Sequence, residues 1–129
     1  MIDILLATYN GEKYIKELLD SLVFQKCEED FCVRIRDDGS KDNTLKILTE
    51  YQKRYPEKIF IERNITPTGS AKCNFFKLLW DVKGDYVMFC DQDDIWEENK
   101  IQITLNVMKK KEKEISYGPV LVCTDCRKV

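Results

Sequence analysis

Hydrophobic positions alternate along this chain between short apolar runs and longer stretches of helical spacing. Residues 2–7 form an apolar-rich run of strand length, after which Ile15, Leu18, Leu19 and Leu22 recur at helical spacing. This predicts a β-α unit. Phe31, Val33 and Ile35 alternate with Cys32, Arg34 and Arg36, the pattern of a strand whose second face accepts long polar stems. A second helix is expected from Leu45, Leu48 and Tyr51, with Ser40 or Asp42 as its cap and Pro56 ending it. Residues 59–61 suit a short third strand. Ser70 can cap a helix carrying Phe75, Phe76 and Leu79, Gly84 breaks it, and residues 86–90 are the most strand-like segment of the chain. A helix near 97–114 follows, with Ile101, Leu105 and Met108 as its apolar stripe. After Gly118-Pro119, residues 120–123 predict a fifth strand. The order βαβαβαβαβ implies an α/β domain with an open, mostly parallel sheet and helices on both faces.

Composition narrows the chemistry. The 129 residues carry 21 basic and 23 acidic side chains and no histidine, so Ser-His-Asp, Cys-His and HExxH sites are excluded. Carboxylates must do any acid-base or metal work. The formal charge of −2 argues against a nucleic-acid partner, and the basic run at 109–113 reads as a solvated helix face. No apolar run has the length of a membrane span. With Asp3 and no basic n-region the N-terminus does not read as a secretory signal, which predicts a cytoplasmic protein. Six cysteines, at 27, 32, 73, 90, 123 and 126, then read as reduced and mostly buried small hydrophobes. Their spacing does not suit a four-thiolate zinc site.

In open parallel sheets ligands bind beyond the carboxyl ends of the strands, where the strand order reverses. Three polar clusters fall there: Thr8-Tyr9-Asn10-Gly11, Asp37-Asp38-Gly39-Ser40 and Asp91-Gln92-Asp93-Asp94. Asp91 and Asp93, two residues apart at a strand end, point to the same side and suit a hard divalent cation shared with substrate phosphates. The same carboxylates would also suit the N-terminal end of the following helix. Gly39 can take a positive φ, and a carboxylate beside it can accept the imide N–H of uracil or thymine, which cytosine lacks. Thr8, Tyr9 and Asn10 can offer backbone groups and an aromatic face to a base, while Tyr9 fits the core equally well. Neither GxGxxG nor GxxxxGK[ST] occurs.

Taken together, residues 4–11, 36–44, 69–74 and 90–96 resemble the N-terminal half of family 2 glycosyltransferases of the GT-A fold. The Asp-Gln-Asp-Asp-Ile-Trp form is similar to that of bacterial rhamnosyltransferase-like members of cell-surface polysaccharide pathways. The resemblance covers essentially the whole chain. It implies a Rossmann-like sheet of the nucleotide-diphospho-sugar transferase type, with residues 1–129 as one donor-binding domain and the acceptor half expected beyond it. It places Thr8, Tyr9, Asn10, Glu12, Asp38, Gly39, Lys72, Asp91 and Gln92 at a UDP- or dTDP-sugar. Asp38 would meet the pyrimidine and Asp91 the ribose or sugar. Asp93, with Asp91, would hold Mg²⁺ or Mn²⁺ through a DxD motif, and Trp96 would floor the sugar site or anchor its loop in the core. The reaction implied is inverting transfer to a saccharide or lipid-linked saccharide, at the inner face of the membrane by peripheral association, with the catalytic base beyond residue 129. Asp125 is not assigned that role. An exposed face left by the acceptor half could support a homodimer. The alternative is a catalytically inactive nucleotide-sugar-binding or scaffold domain.

Overall fold

A computed structural model describes residues 1–127. Strands β1 (Ile2–Thr8), β2 (Phe31–Asp37), β3 (Ile59–Arg63) and β4 (Tyr86–Cys90) alternate with helices α1 (Ile15–Val23), α2 (Thr44–Arg54), α3 (Ala71–Trp80) and α4 (Lys100–Glu114). All pairings are parallel, in the order β3-β2-β1-β4. β1 is central, paired with β2 from Ile2↔Phe31 to Thr8↔Asp37 and with β4 from Ile2↔Tyr86 to Leu6↔Cys90. That register brings Thr8, Asp37 and the residue after Cys90 to one edge.

The period-two alternation of β1 divides the molecule into two unlike halves. Ile2, Ile4 and Leu6 join Val33, Ile35 and Ile59 in a hydrocarbon core closed by α1 and α2, and by Trp96, Ile101 and Leu105 at and before α4. α3 lies on the other face, against β1 and β2. Helices therefore cover both faces, as the alternating pattern implies.

The α3 face buries Leu5 and Leu78 but, unlike the other, also carries a buried polar network. Asp3 is fully buried there. Its carboxylate accepts from Arg34 Nε at 3.0 Å, Cys32 Sγ at 2.8 Å, and the backbone N–H groups of Lys83 and Gly84 at 2.6 and 2.8 Å. Burial pushes this carboxyl up, but the Cys32 thiol, the two N–H groups and the Arg34 guanidinium outweigh it and hold the group below its ordinary range. Burial and the adjacent carboxylate push the Cys32 thiol up to about 12, so it stays protonated as a donor.

Four local expectations change. Residues 120–123 form no strand: Leu121 to Thr124 run alongside β4 without joining its ladder, so β4 remains an edge. Leu121 and Cys123 there are exposed. α3 buries Asn74 and Leu78, whereas Phe76 and Leu79 are exposed and Phe75 is half-buried against Phe89. Its contact face is rotated toward the polar network described below. Neither Ser40 nor Asp42 occupies the cap of α2, which is Asn43; Asp42 instead accepts from the Thr44 N–H and hydroxyl, and Ser40 turns to Asp37. The cysteines are not mostly buried: Cys32 and Cys90 are, Cys27 is half-buried, and Cys73, Cys123 and Cys126 are exposed. Ser70 caps α3 as its sequence predicts, accepting from the Cys73 N–H at 3.3 Å.

Asp3→Asn should lower stability by about 3 kcal/mol near neutral pH, because it leaves Arg34 without its buried partner. The folded-state pKa of Asp3 is depressed, so its contribution is complete above the unfolded value of about 3.9 and is lost as pH falls through the folded value. Urea unfolding should therefore show the wild type and the variant converging as pH falls below the ordinary carboxylate range.

Candidate functional site

The strand order reverses between β1 and β4, and the crevice expected at such a point is present. The loops after the two strands are clamped across it. The Tyr9 N–H donates to Gln92 Oε1 at 3.0 Å, and Gln92 Nε2 donates to the Tyr9 carbonyl at 3.0 Å, so one side-chain amide extends the ladder past Cys90. Gly11 leaves room for this amide: a Cβ at that position would lie 2.6 Å from Gln92 Oε1.

Asp37, the last residue of β2, is fully buried. It accepts from the Thr8 hydroxyl at 3.1 Å, the Gly39 N–H at 3.0 Å, the Ser40 N–H at 2.8 Å and the Ser40 hydroxyl. Asp38 faces the other way and gathers the segment between β3 and α3. Its carboxylate meets Asn64 Nδ2 and the Thr68 N–H at 2.7 Å, the Gly69 N–H at 2.9 Å and Thr68 Oγ1 at 3.0 Å. Burial pushes this carboxyl up, yet the donors from Thr68, Asn64 and Gly69 hold it below its ordinary range, so it is ionised at neutral pH.

A cavity of about 760 Å³ opens between these loops, within the size range of small-molecule sites. Thr8, Tyr9, Asp38, Gly39, Asp91, Gln92 and Asp93 line it together. Tyr9 is half exposed and Thr8 is buried. Three of the sequence-derived residues stand outside this lining. Asn10, at φ 47°, ties the β1 loop to the β2 loop: its N–H donates to Ser40 Oγ, and its side-chain oxygen accepts from the Lys41 N–H. Glu12 accepts from the N–H and side-chain amide of Asn43. Lys72 is exposed, its Nζ 6.0 Å from the Phe76 ring centroid. Trp96 belongs to the core, beside a separate cavity of about 300 Å³ along β4.

The structure adds residues to which the sequence drew no attention. Lys41, Pro67 and Phe75 also line the larger cavity. Asn64 is buried beneath it, donating to Asp38 and to Asn74 Oδ1 while accepting from Arg36 and Lys77. The only sequence signal for Asn64 is its place just past a strand end, the position shared by Asp38 and Asp91.

Partial desolvation, then repulsion from Asp94 and Asp93, push the Asp91 carboxyl above its ordinary range. The side chain nevertheless remains open to solvent, which keeps it accessible to a counter-ion. Among the described residues no cluster of three or more metal-ligating side chains exists. A hard cation here would take its oxygens from Asp93 and Asp91 and complete its shell with ligand oxygens and water.

The profile of "Glycosyl transferase family 2" matches residues 3–129. The chain belongs to this family. Within it, the chain is 43% identical over 106 residues to "dTDP-rhamnosyl transferase RfbG" of Shigella flexneri, covering 80% of this chain and 36% of that protein. It is 34% identical over 120 residues to "Poly(ribitol-phosphate) beta-glucosyltransferase" of Bacillus spizizenii, covering 91% and 18% respectively. The structure of S. aureus TarS 1-349 in complex with UDP-GlcNAc superposes with a TM-score of 0.75 at 29% identity, over 84% of this chain and 31% of that one. The chain thus spans about a third or less of the length of these relatives. No helix among the described residues is long and apolar enough to cross a membrane.

Gly39 sits at φ +84°, and a Cβ there would lie 2.8 Å from Pro67 Cγ. Gly39→Ala should therefore cost roughly 1–2 kcal/mol for the left-handed backbone alone. Thermal unfolding should show a Tm lowered accordingly, because the added Cβ also meets Pro67 on the cavity wall.

Proposed function

We propose that this chain is the donor-binding region of a metal-assisted glycosyltransferase that takes a UDP- or dTDP-sugar. The observation that carries this reading is the convergence of Tyr9, Asp38, Asp91 and Asp93, from three strand ends, on one cavity at the switch point. It is supported by the complex of TarS with UDP-GlcNAc and by the similarity to the dTDP-rhamnosyl transferase of Shigella flexneri. Uracil and thymine share an imide N–H, which an ionised, buried carboxylate such as Asp38 accepts and which cytosine does not offer.

The residues divide the work. Asp38 orients the base, and the half-exposed ring of Tyr9 gives it a face to stack on. The Tyr9–Gln92 clamp fixes the distance between the base end and the carboxylate end of the crevice. Asp91 faces the ribose or sugar. Asp93, with Asp91, would hold Mg²⁺ or Mn²⁺, and such an ion would offset both the partial desolvation of Asp91 and its repulsion from Asp94 and Asp93. When bound, the ion neutralises the donor diphosphate and stabilises the departing nucleoside diphosphate. Transfer proceeds with inversion to a saccharide or lipid-linked saccharide in cell-surface polysaccharide synthesis, at the cytoplasmic face of the membrane.

Thermal unfolding with UDP or dTDP, with and without Mn²⁺, tests the reading. Ligand at 100 times its dissociation constant should add about 2.7 kcal/mol and raise Tm by several degrees. The shift should require the metal, vanish in Asp93→Asn and shrink in Asp38→Ala. An unchanged Tm with both nucleotides would leave the family fold without a working donor site.

A further inference from the structure

Asp38 presents an unusual situation for a group that is to accept a ligand N–H. A carboxylate offers about four lone-pair positions, and protein donors face all of them. Oδ1 takes Asn64 Nδ2 and the Thr68 N–H, and Oδ2 takes the Gly69 N–H and faces Thr68 Oγ1. Three of these donors are fixed. Two are backbone groups in a turn where Gly69 lies at φ +66°. The third is an amide held by Asn74, Arg36 and Lys77. The Thr68 hydroxyl differs from them. It has a single hydrogen and two acceptors at the same distance, Asp38 Oδ2 at 3.0 Å and the Ser70 carbonyl at 3.0 Å.

We propose that Thr68 tunes the base preference of the site by turning its hydroxyl proton between these two acceptors. The inference rests on the imide-reading role given to Asp38 above. In the free protein the proton satisfies Oδ2, so the buried carboxylate is never left short of a donor. When an imide base arrives, the hydroxyl rotates to the Ser70 carbonyl and Oδ2 accepts the base N–H in its place. No covalent bond changes, and one protein donor is exchanged for one ligand donor. The hydroxyl is thus a built-in competitor of the imide. With cytosine, whose N3 brings a lone pair, the hydroxyl stays on Oδ2 and screens the carboxylate. Thr68 therefore softens the discrimination that a bare carboxylate would impose.

Removing the hydroxyl should sharpen it. Titration calorimetry of UDP and CDP with Mn²⁺ should show that the wild type prefers UDP. In Thr68→Val the UDP-over-CDP affinity ratio should rise roughly three- to tenfold, the difference between a charge-assisted and a neutral hydrogen bond. Thr68→Ser, which keeps the proton, should restore the wild-type ratio. Thr68→Ala removes the hydroxyl without added bulk and should reproduce the Val result if the Val variant does not fold. A ratio that stays constant in Val and Ala, or equal weakening of both nucleotides, makes Thr68 a merely structural residue and overturns the inference. Equal binding of UDP and CDP by the wild type is a different result: it removes the imide reading of Asp38 and this inference with it.

Discussion

Two consecutive buried carboxylates at the end of β2 are the constraint on which the site depends. An ionised carboxylate removed from water must be satisfied by hydrogen bonds or it costs several kcal/mol. Asp37 ends β2 and Asp38 follows it, and the two recruit donors from different loops. Asp37 binds Thr8 and the Gly39-Ser40 turn, while Asp38 binds Asn64 and the Thr68-Gly69 turn. The loops that follow β1, β2 and β3 are thereby fixed to one another by the cost of leaving either buried carboxyl group without partners.

The two faces of the sheet contribute differently. The α1, α2 and α4 side is a hydrocarbon core that stabilises the domain without reference to chemistry. The α3 side adds to buried Leu5 and Leu78 a chain of polar contacts. Arg36 pairs with Glu62 and Asp81 and donates to Asn64, which in turn orients Asp38. Asn74 completes the link by donating to the Arg36 carbonyl. α3 thus acts less as a hydrophobic cover than as a brace for the wall of the cavity. This explains why it buries an asparagine and leaves Phe76 exposed.

At the far side of the crevice the arrangement is deliberately unsatisfied. Partial desolvation, with repulsion from Asp94 and Asp93 added to it, raises the Asp91 carboxyl above its ordinary range. The contrast with Asp38 is instructive, since the two carboxyls shift in opposite directions within one cavity. One is held ionised by protein donors, and the other stands open to solvent with two further carboxylates beside it.

Much of this was legible in the sequence. Strands, helices and their order follow from apolar periodicity, which is a local property, and the polar clusters at 8–11, 37–40 and 91–94 announce themselves by following strands. Knowledge of open parallel sheets places all three at one edge, and the family resemblance follows from them. What the sequence left open is which polar atoms meet. Asn64 and Thr68 are unremarkable residues until the register of β2 with β3 sets them beside Asp38. Asn10 and Glu12 sit within a motif but spend their side chains on the loop at 40–43. Residues 120–123 have strand-like composition yet form no ladder with the β4 edge beside them. The sequence determined the elements and their polar ends because those depend on neighbours along the chain. Only the tertiary structure decided the partners of each buried polar group, because a hydrogen bond depends on ångström-scale distances between residues far apart in sequence.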